Sequence, residues 1–224
     1  MSKAPRDDTW RIFRIMAEFV EGFQGMADVG RAITIFGSAR TRPSDPYYIT
    51  ARNLAHRLGE EGYAVITGGG PGIMEAGNRG AKEANATSIG VNIELPFEQT
   101  ANPFITKAIN FRYFFVRKVM FLKYAKGFVI FPGGYGTMDE LFETLTLIQT
   151  RKIEPMPIVL MGKKYYAGLI DWIRDTMLGE KMVSPDDLDI FLLTDDVEEC
   201  IAHLKEKTKA LGDKDRFLEI QTWD

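Results

Sequence analysis

Residues 130–141 read Ile130-Phe131-Pro132-Gly133-Gly134-Tyr135-Gly136-Thr137-Met138-Asp139-Glu140-Leu141, "IFPGGYGTMDEL". An apolar run leads into a glycine-rich turn, and two acids follow where a helix begins, as suits the positive end of a helix dipole. Strand, turn and helix N-terminus within a dozen residues make one βα unit.

The same alternation extends to either side. Upstream, Gly127–Phe131 is the strand entering the turn, Phe111–Lys126 reads as a helix and Ser88–Ile93 as a strand. Before these come a helix at Ile73–Ala86, a loop at Gly68–Gly72 and a strand at Tyr63–Thr67. Ser44-Asp45-Pro46 opens a helix that Gly62 stops, because a capping side chain and a first-turn proline suit a start and glycine suits an end. Ala32–Phe36 is a buried strand, followed by the turn Gly37-Ser38-Ala39-Arg40. Downstream, Thr137–Lys152 is a helix, Pro157–Met161 a strand, Tyr165–Leu178 a helix, Asp189–Leu193 a short strand and Val197–Leu211 a closing helix. Leu95–Thr106, with two prolines and no clear period, reads as a surface loop.

Apolar strands of five or six residues that alternate with helices imply a parallel sheet covered on both faces, a doubly wound, Rossmann-like α/β fold. No repeat or linker divides the chain, so residues 1–224 are expected to form one domain. Trp10–Met26 has apolar residues at spacings of three and four, which marks an amphipathic helix, with 9–27 as an appendage. Residues 212–224 read as a tail whose Phe217, Leu218, Ile220 and Trp223 are able to dock on a neighbour.

Composition narrows the function classes. With 28 basic and 31 acidic residues and a net charge of −3, the chain has no global positive field for nucleic acid. A hydrophobic content of 45% fills a core without signalling a membrane protein. The single cysteine, Cys200, excludes an intrachain disulfide, and the N-terminus lacks a secretory pattern, so a cytoplasmic location is expected. His56 and His203 lie far apart in helical patterns without cysteine clusters, and read as ordinary helix residues rather than metal ligands.

In such a sheet ligands bind beyond the carboxyl ends of the strands. Three turns fall there: Gly37–Arg40, Gly68-Gly69-Gly70-Pro71-Gly72 and Pro132–Thr137. The last two run into helix N-termini, where unpaired N–H groups and the dipole favour a phosphate. The structural alternative is that each glycine serves positive φ or close helix packing. Neither loop fits GxGxxG or ends in Gly-Lys-Ser/Thr, which argues against a redox dinucleotide site and a P-loop NTPase. Glu140 lies one helical turn beyond the loop, close to where the ribose of a bound nucleotide would sit. Arg117 and Lys118 interrupt an otherwise apolar helix, and unpaired charges are costly to bury, so a polar cavity, a carboxylate or the surface at a helix edge must receive them.

These segments resemble a known family. Residues 132–140 match the PGGxGTxxE motif of the LOG (LONELY GUY) nucleoside 5′-monophosphate phosphoribohydrolases, Gly68–Ala76 resembles their GGGxxGxM segment, and Arg117-Lys118 matches their Arg-Lys pair. The resemblance implies Arg117 and Glu140 as the catalytic pair, with Lys118 supporting the pocket. It also implies Gly133, Gly134, Gly136 and Thr137 as the phosphate site, and Ser38, Gly70, Pro71, Gly72 and Met74 as lining the nucleotide. By the same resemblance the protein is a homodimer or larger homo-oligomer that needs no cofactor and no metal.

The chain departs from the short plant pattern in its N-terminal helix and C-terminal segment, and resembles a longer bacterial branch and broader nucleotide 5′-monophosphate nucleosidases. The expected reaction is hydrolysis of the N-glycosidic bond of AMP or a cytokinin riboside 5′-monophosphate, with Arg117 keeping Glu140 ionised. The rivals are a non-catalytic nucleotide or molybdenum-cofactor carrier and an AMP-sensing oligomer.

Overall fold

The computed structural model describes residues 6–95 and 101–211. The tail at 212–224 lies outside them, as does part of the 95–106 loop. In chain order the elements are α1 (Arg6–Met26), β1 (Ala32–Phe36), α2 (Pro46–Glu60), β2 (Ala64–Thr67), α3 (Ile73–Glu83), β3 (Ser88–Ile93), β4 (Lys107–Phe111), α4 (Phe114–Tyr124) and β5 (Ala125–Ile130). They continue with α5 (Tyr135–Gln149), β6 (Ile158–Met161), α6 (Lys163–Trp172) running on as a π-helical turn (Ile173–Leu178), a 3₁₀ turn (Pro185–Ile190), β7 (Phe191–Thr194) and α7 (Val197–Leu211).

Among the described residues one sheet of seven parallel strands runs in the order β4-β3-β2-β1-β5-β6-β7. The two-residue side-chain period of a strand divides the core in two. Phe36, Phe128, Ile130, Ile158 and Leu160 face α4, α5 and α6, whereas Ile33, Ile35, Val129, Phe131 and Val159 face α2, α3 and α7. Burial on both faces is why β1 and β5 are apolar apart from Thr34 and Lys126.

The expected doubly wound fold is present with one more strand than anticipated. The sequence reading assigns residues 107–110 to no element and gives Phe111 to the following helix, because the half-exposed Lys107-Ala108-Ile109-Asn110-Phe111 lacks a continuous apolar run. This segment, β4, is one of the two edge strands, pairing among the described residues with β3 alone, and an edge strand covered on one side alternates instead of running apolar. The helix that follows is accordingly shorter than 111–126. It starts at Phe114, and after Tyr124 the chain turns into β5 at once, with Ala125 already extended (φ −77°, ψ 140°).

α1 lies on α4 and β4 and inserts Met26, which is fully buried, into the core. Strand order reverses between β1 and β5, so their carboxyl ends open a crevice. Two backbone hydrogen bonds bridge its base, Phe131 N to the Phe36 carbonyl at 2.9 Å and Ser38 N to the Pro132 carbonyl at 3.0 Å.

Candidate active site

A cavity of about 720 Å³ opens at this switch point, within the range that encloses small organic ligands. Its wall includes Ser38 and Arg40 after β1, Gly68 and Met74 around the start of α3, Phe114 and Arg117 on α4, and Tyr165 on α6. The turn after β5 and the first coil of α5 supply Gly133, Gly134, Tyr135, Gly136, Thr137 and Glu140. Five separate parts of the chain thus converge on one space.

The glycines of the β5–α5 turn divide by cause. Gly133 is required by packing, since a Cβ there would lie 2.1 Å from Thr137 Oγ1. At Gly134 and Gly136 a Cβ would meet nothing within 4 Å, and neither has a positive φ. Neither backbone strain nor close packing requires glycine at those two positions. What their missing side chains leave open is the cavity, with the first N–H groups of α5 exposed to it. Among the described residues the N–H groups of Gly133, Gly134, Tyr135 and Gly136 donate to no backbone or side-chain acceptor, which makes a cradle for an anion. Tyr165 secures it by donating its hydroxyl to the Gly133 carbonyl at 2.5 Å, while buried Tyr166 donates to the Phe131 carbonyl at 3.0 Å.

The β2–α3 loop is built differently. Gly69 (φ +75°) and Gly72 (φ +68°) need glycine for their backbone, and a Cβ on Gly72 would sit 2.3 Å from the Ser38 carbonyl oxygen. Buried Asn102 donates to the carbonyls of Gly69 and Gly70 and to Asn78 Oδ1, at 2.9–3.1 Å. The first N–H of α3, from Ile73, already donates to the Ser38 carbonyl at 3.0 Å. Gly68 and Met74 line the cavity, whereas Gly70, Pro71 and Gly72, expected to line the nucleotide, do not. Gly68 leaves room for the Arg117 guanidinium, since a Cβ there would lie 2.3 Å from Arg117 Nη2 and displace it.

Arg117 stands half-buried over the Phe121 ring, 5.1 Å from its centroid, with Nε donating to the Val91 carbonyl at 2.9 Å. Burial pulls its proton affinity down and the Glu140 charge pushes it up, with a net lowering. Its neighbour Lys118 turns away from the cavity and grips α5 instead, through Asp139 Oδ2 at 2.8 Å and Glu143 Oε2 at 2.7 Å. These two carboxylates flank Glu140 in the helix.

Burial raises the Glu140 carboxyl to about 7, against opposing pulls from Lys118 and Arg117 and with added push from Glu143 and Asp139. Arg117 was expected to keep this group ionised. The arginine acts in the anticipated direction, but desolvation outweighs it. The result is a carboxyl that exchanges its proton near neutrality, inside a cavity and one turn from an anion cradle.

Sequence reading singled out Ser38, Met74, Arg117, Glu140 and the phosphate-turn residues, and these share the cavity. It did not single out Tyr165, Phe114, Tyr135 or Arg40. For Tyr165 a signal existed, since Gly162 (φ +118°) closes β6 at the same end of the sheet and α6 begins there.

A parallel sheet with a bare amide turn and an acid at its switch point defines a Rossmann-like α/β protein with a candidate anion site. Residues 74–204 match the family model described as "Possible lysine decarboxylase", and the chain belongs to this family, that of the LOG proteins. It is 31% identical over 147 residues to the pyrimidine/purine nucleotide 5′-monophosphate nucleosidase of Escherichia coli strain K12, covering 59% of this chain and 32% of that protein. The chain thus spans about a third of that relative's length. It is 27% identical over 198 residues to the cytokinin riboside 5′-monophosphate phosphoribohydrolase LOG2 of Arabidopsis thaliana, covering 87% and 90% of the two chains. Among solved structures, the molybdenum cofactor binding protein of Rippkaea orientalis superposes with a TM-score of 0.57 at 20% identity, covering 80% of this chain and 98% of that one. The molybdenum cofactor carrier protein of Chlamydomonas reinhardtii gives 0.54 at 22%, with 80% and 98% covered. At these identities the two structures speak for the fold.

Proposed function

We propose that this cavity hydrolyses the N-glycosidic bond of a purine nucleoside 5′-monophosphate, AMP or its N6-prenylated cytokinin form, giving free base and ribose 5-phosphate. The observation that carries the reading is the pairing of a bare amide cradle at Gly133–Gly136 with the near-neutral carboxyl of Glu140 one helical turn away. With the phosphate on the cradle and Thr137, the ribose lies beside Glu140 and Arg117. Remote phosphate binding positions the sugar for attack.

Bond cleavage develops positive charge on the sugar ring, as in glycoside hydrolysis. The ionised form of Glu140 stabilises that charge and takes a proton from the water that attacks C1′. The base leaves with the bonding electron pair and acquires a proton. A carboxyl that titrates near 7 suits this proton transfer better than an ordinary glutamate. Arg117 binds the substrate and counters the burial that would keep Glu140 protonated.

We also propose that the working form is a homo-oligomer. Ile12, Phe13, Met16 and Val20 on α1 form an exposed apolar stripe, and Phe114 and Tyr135 stand exposed at the cavity mouth. A second copy would cover such surface, and light scattering on the purified chain tests for a mass of at least twice 25.3 kDa. Among the described residues no helix is long and apolar enough to cross a membrane.

Chromatography of free base after incubation with AMP, GMP, CMP and N6-isopentenyladenosine monophosphate tests the hydrolase. Release from one of them by the native chain but not by Glu140→Gln supports it. Saturable binding without release would assign the cavity to a carrier or sensor.

A further inference from the structure

α4 carries Arg117 and is only eleven residues long, and Tyr113 before it provides no side-chain cap. The cap comes instead from α1. Glu18, buried to 9% exposure, accepts the N–H of Arg112 on both carboxyl oxygens at 3.1 Å and the N–H of Tyr113 on Oε2 at 3.2 Å. These donors are the N-cap Tyr113 and the residue before it, and a carboxylate placed there satisfies them and complements the helix dipole. The same residue leads to the site, because the Tyr113 carbonyl accepts the backbone N–H of Arg117 at 3.2 Å.

The grip repeats at the far end, where Tyr124, the last residue of α4, donates its hydroxyl to the Phe23 carbonyl of α1 at 3.2 Å. Between the two ends Gly22 brings the helices into contact, with a Cβ there lying 2.9 Å from Met120 Sδ. α1 is held along α4 at its start, middle and end.

Resting on the reading of Arg117 as a substrate-side group, we infer that α1 is a splint for the active-site helix and that Glu18 is a positioning residue that sets Arg117 through Tyr113. Glu18 touches no substrate. The phosphate cradle belongs to α5 and is left in place when Glu18 is changed, so the effect falls on turnover and not on capture of the nucleotide.

The test compares Glu18→Ala, Glu18→Gln and Glu18→Asp with the native chain by hydrogen exchange and by steady-state kinetics, with the thermal midpoint recorded for each. Glu18→Ala is expected to speed exchange within residues 112–118 while leaving α2 and α3 protected as before. It should also lower kcat about tenfold at a KM within about twofold, since small misplacements of a reacting group have effects of this size. Glu18→Gln keeps an acceptor oxygen and should lie between the two, which covers the case in which the alanine variant does not fold. In an Arg117→Lys background Glu18→Ala should lower kcat no further, because the residue acts through the guanidinium. Exchange that rises evenly over the chain, or a folded Glu18→Ala with native kcat, overturns the inference. If the native chain releases no base, the hydrolase reading fails by itself, and the exchange data still decide whether Glu18 holds α4.

Discussion

Arg117 on α4 and Glu140 on α5 line one cavity and act on each other's charge, yet the Arg117 Nε is donated to the Val91 carbonyl and not to a carboxylate. The guanidinium is thereby fixed to the sheet while Glu140 stays open to a ligand. Glu140→Gln keeps the volume and removes the charge and the proton acceptor. It should lower kcat by about 10²–10³-fold with nucleotide binding retained, as measured by base release alongside calorimetric titration.

The raised Glu140 carboxyl also predicts how stability depends on pH. A group that moves from 4.5 to about 7 on folding binds its proton more tightly in the folded chain. Its contribution is therefore present below pH 4.5 and is lost as pH rises through 7. The full cost at higher pH is on the order of 2 kcal/mol, given the cavity's openness to solvent. Glu140→Gln should accordingly melt above the native chain at pH 8 and level with it near pH 4.5, as followed by thermal unfolding.

Lys118 exerts the larger pull lowering Glu140 and Arg117 the smaller, against burial, Glu143 and Asp139. Lys118→Met removes that pull and unpairs Asp139 and Glu143. The acid limb of kcat/KM, expected near 7 for the native protein, should move to higher pH. An unmoved limb would assign it to another group.

Tyr165→Phe deletes the 2.5 Å hydrogen bond to the Gly133 carbonyl. The peptide whose N–H faces the anion loses its fixed orientation. A net hydrogen bond is worth about 0.5–1.5 kcal/mol, so KM for the nucleotide should rise about two- to tenfold at similar kcat. Affinity for ribose 5-phosphate should fall in parallel.

Glycines in the two loops should respond in opposite ways. Gly72→Ala meets a positive φ of 68° and a backbone oxygen at 2.3 Å that cannot move aside, and should lose on the order of 2–4 kcal/mol in denaturant unfolding. Gly136→Ala has free space in the fold and should unfold as the native chain does. Its methyl group enters the anion cradle, so nucleotide binding should fall at unchanged stability.

By itself the sequence determined the alternation of elements, because strands buried on both faces must be apolar throughout and the helices between them must carry a stripe. It also determined that the turn after β5 was special, since glycines, a threonine and an acid sit there within one helical turn. The half-exposed β4 was beyond its reach, because an edge strand loses the apolar continuity by which strands are recognised. So was the difference between Gly72, held by backbone geometry, and Gly136, bare towards the cavity, since identical residues serve unlike ends. Only the tertiary structure decided that Lys118 turns from the cavity to flank Glu140, that Tyr165 arrives from α6, and that burial outweighs two cations at the Glu140 carboxyl. Each of these depends on distances between chain-remote groups and on the water that packing removes, which local sequence does not encode.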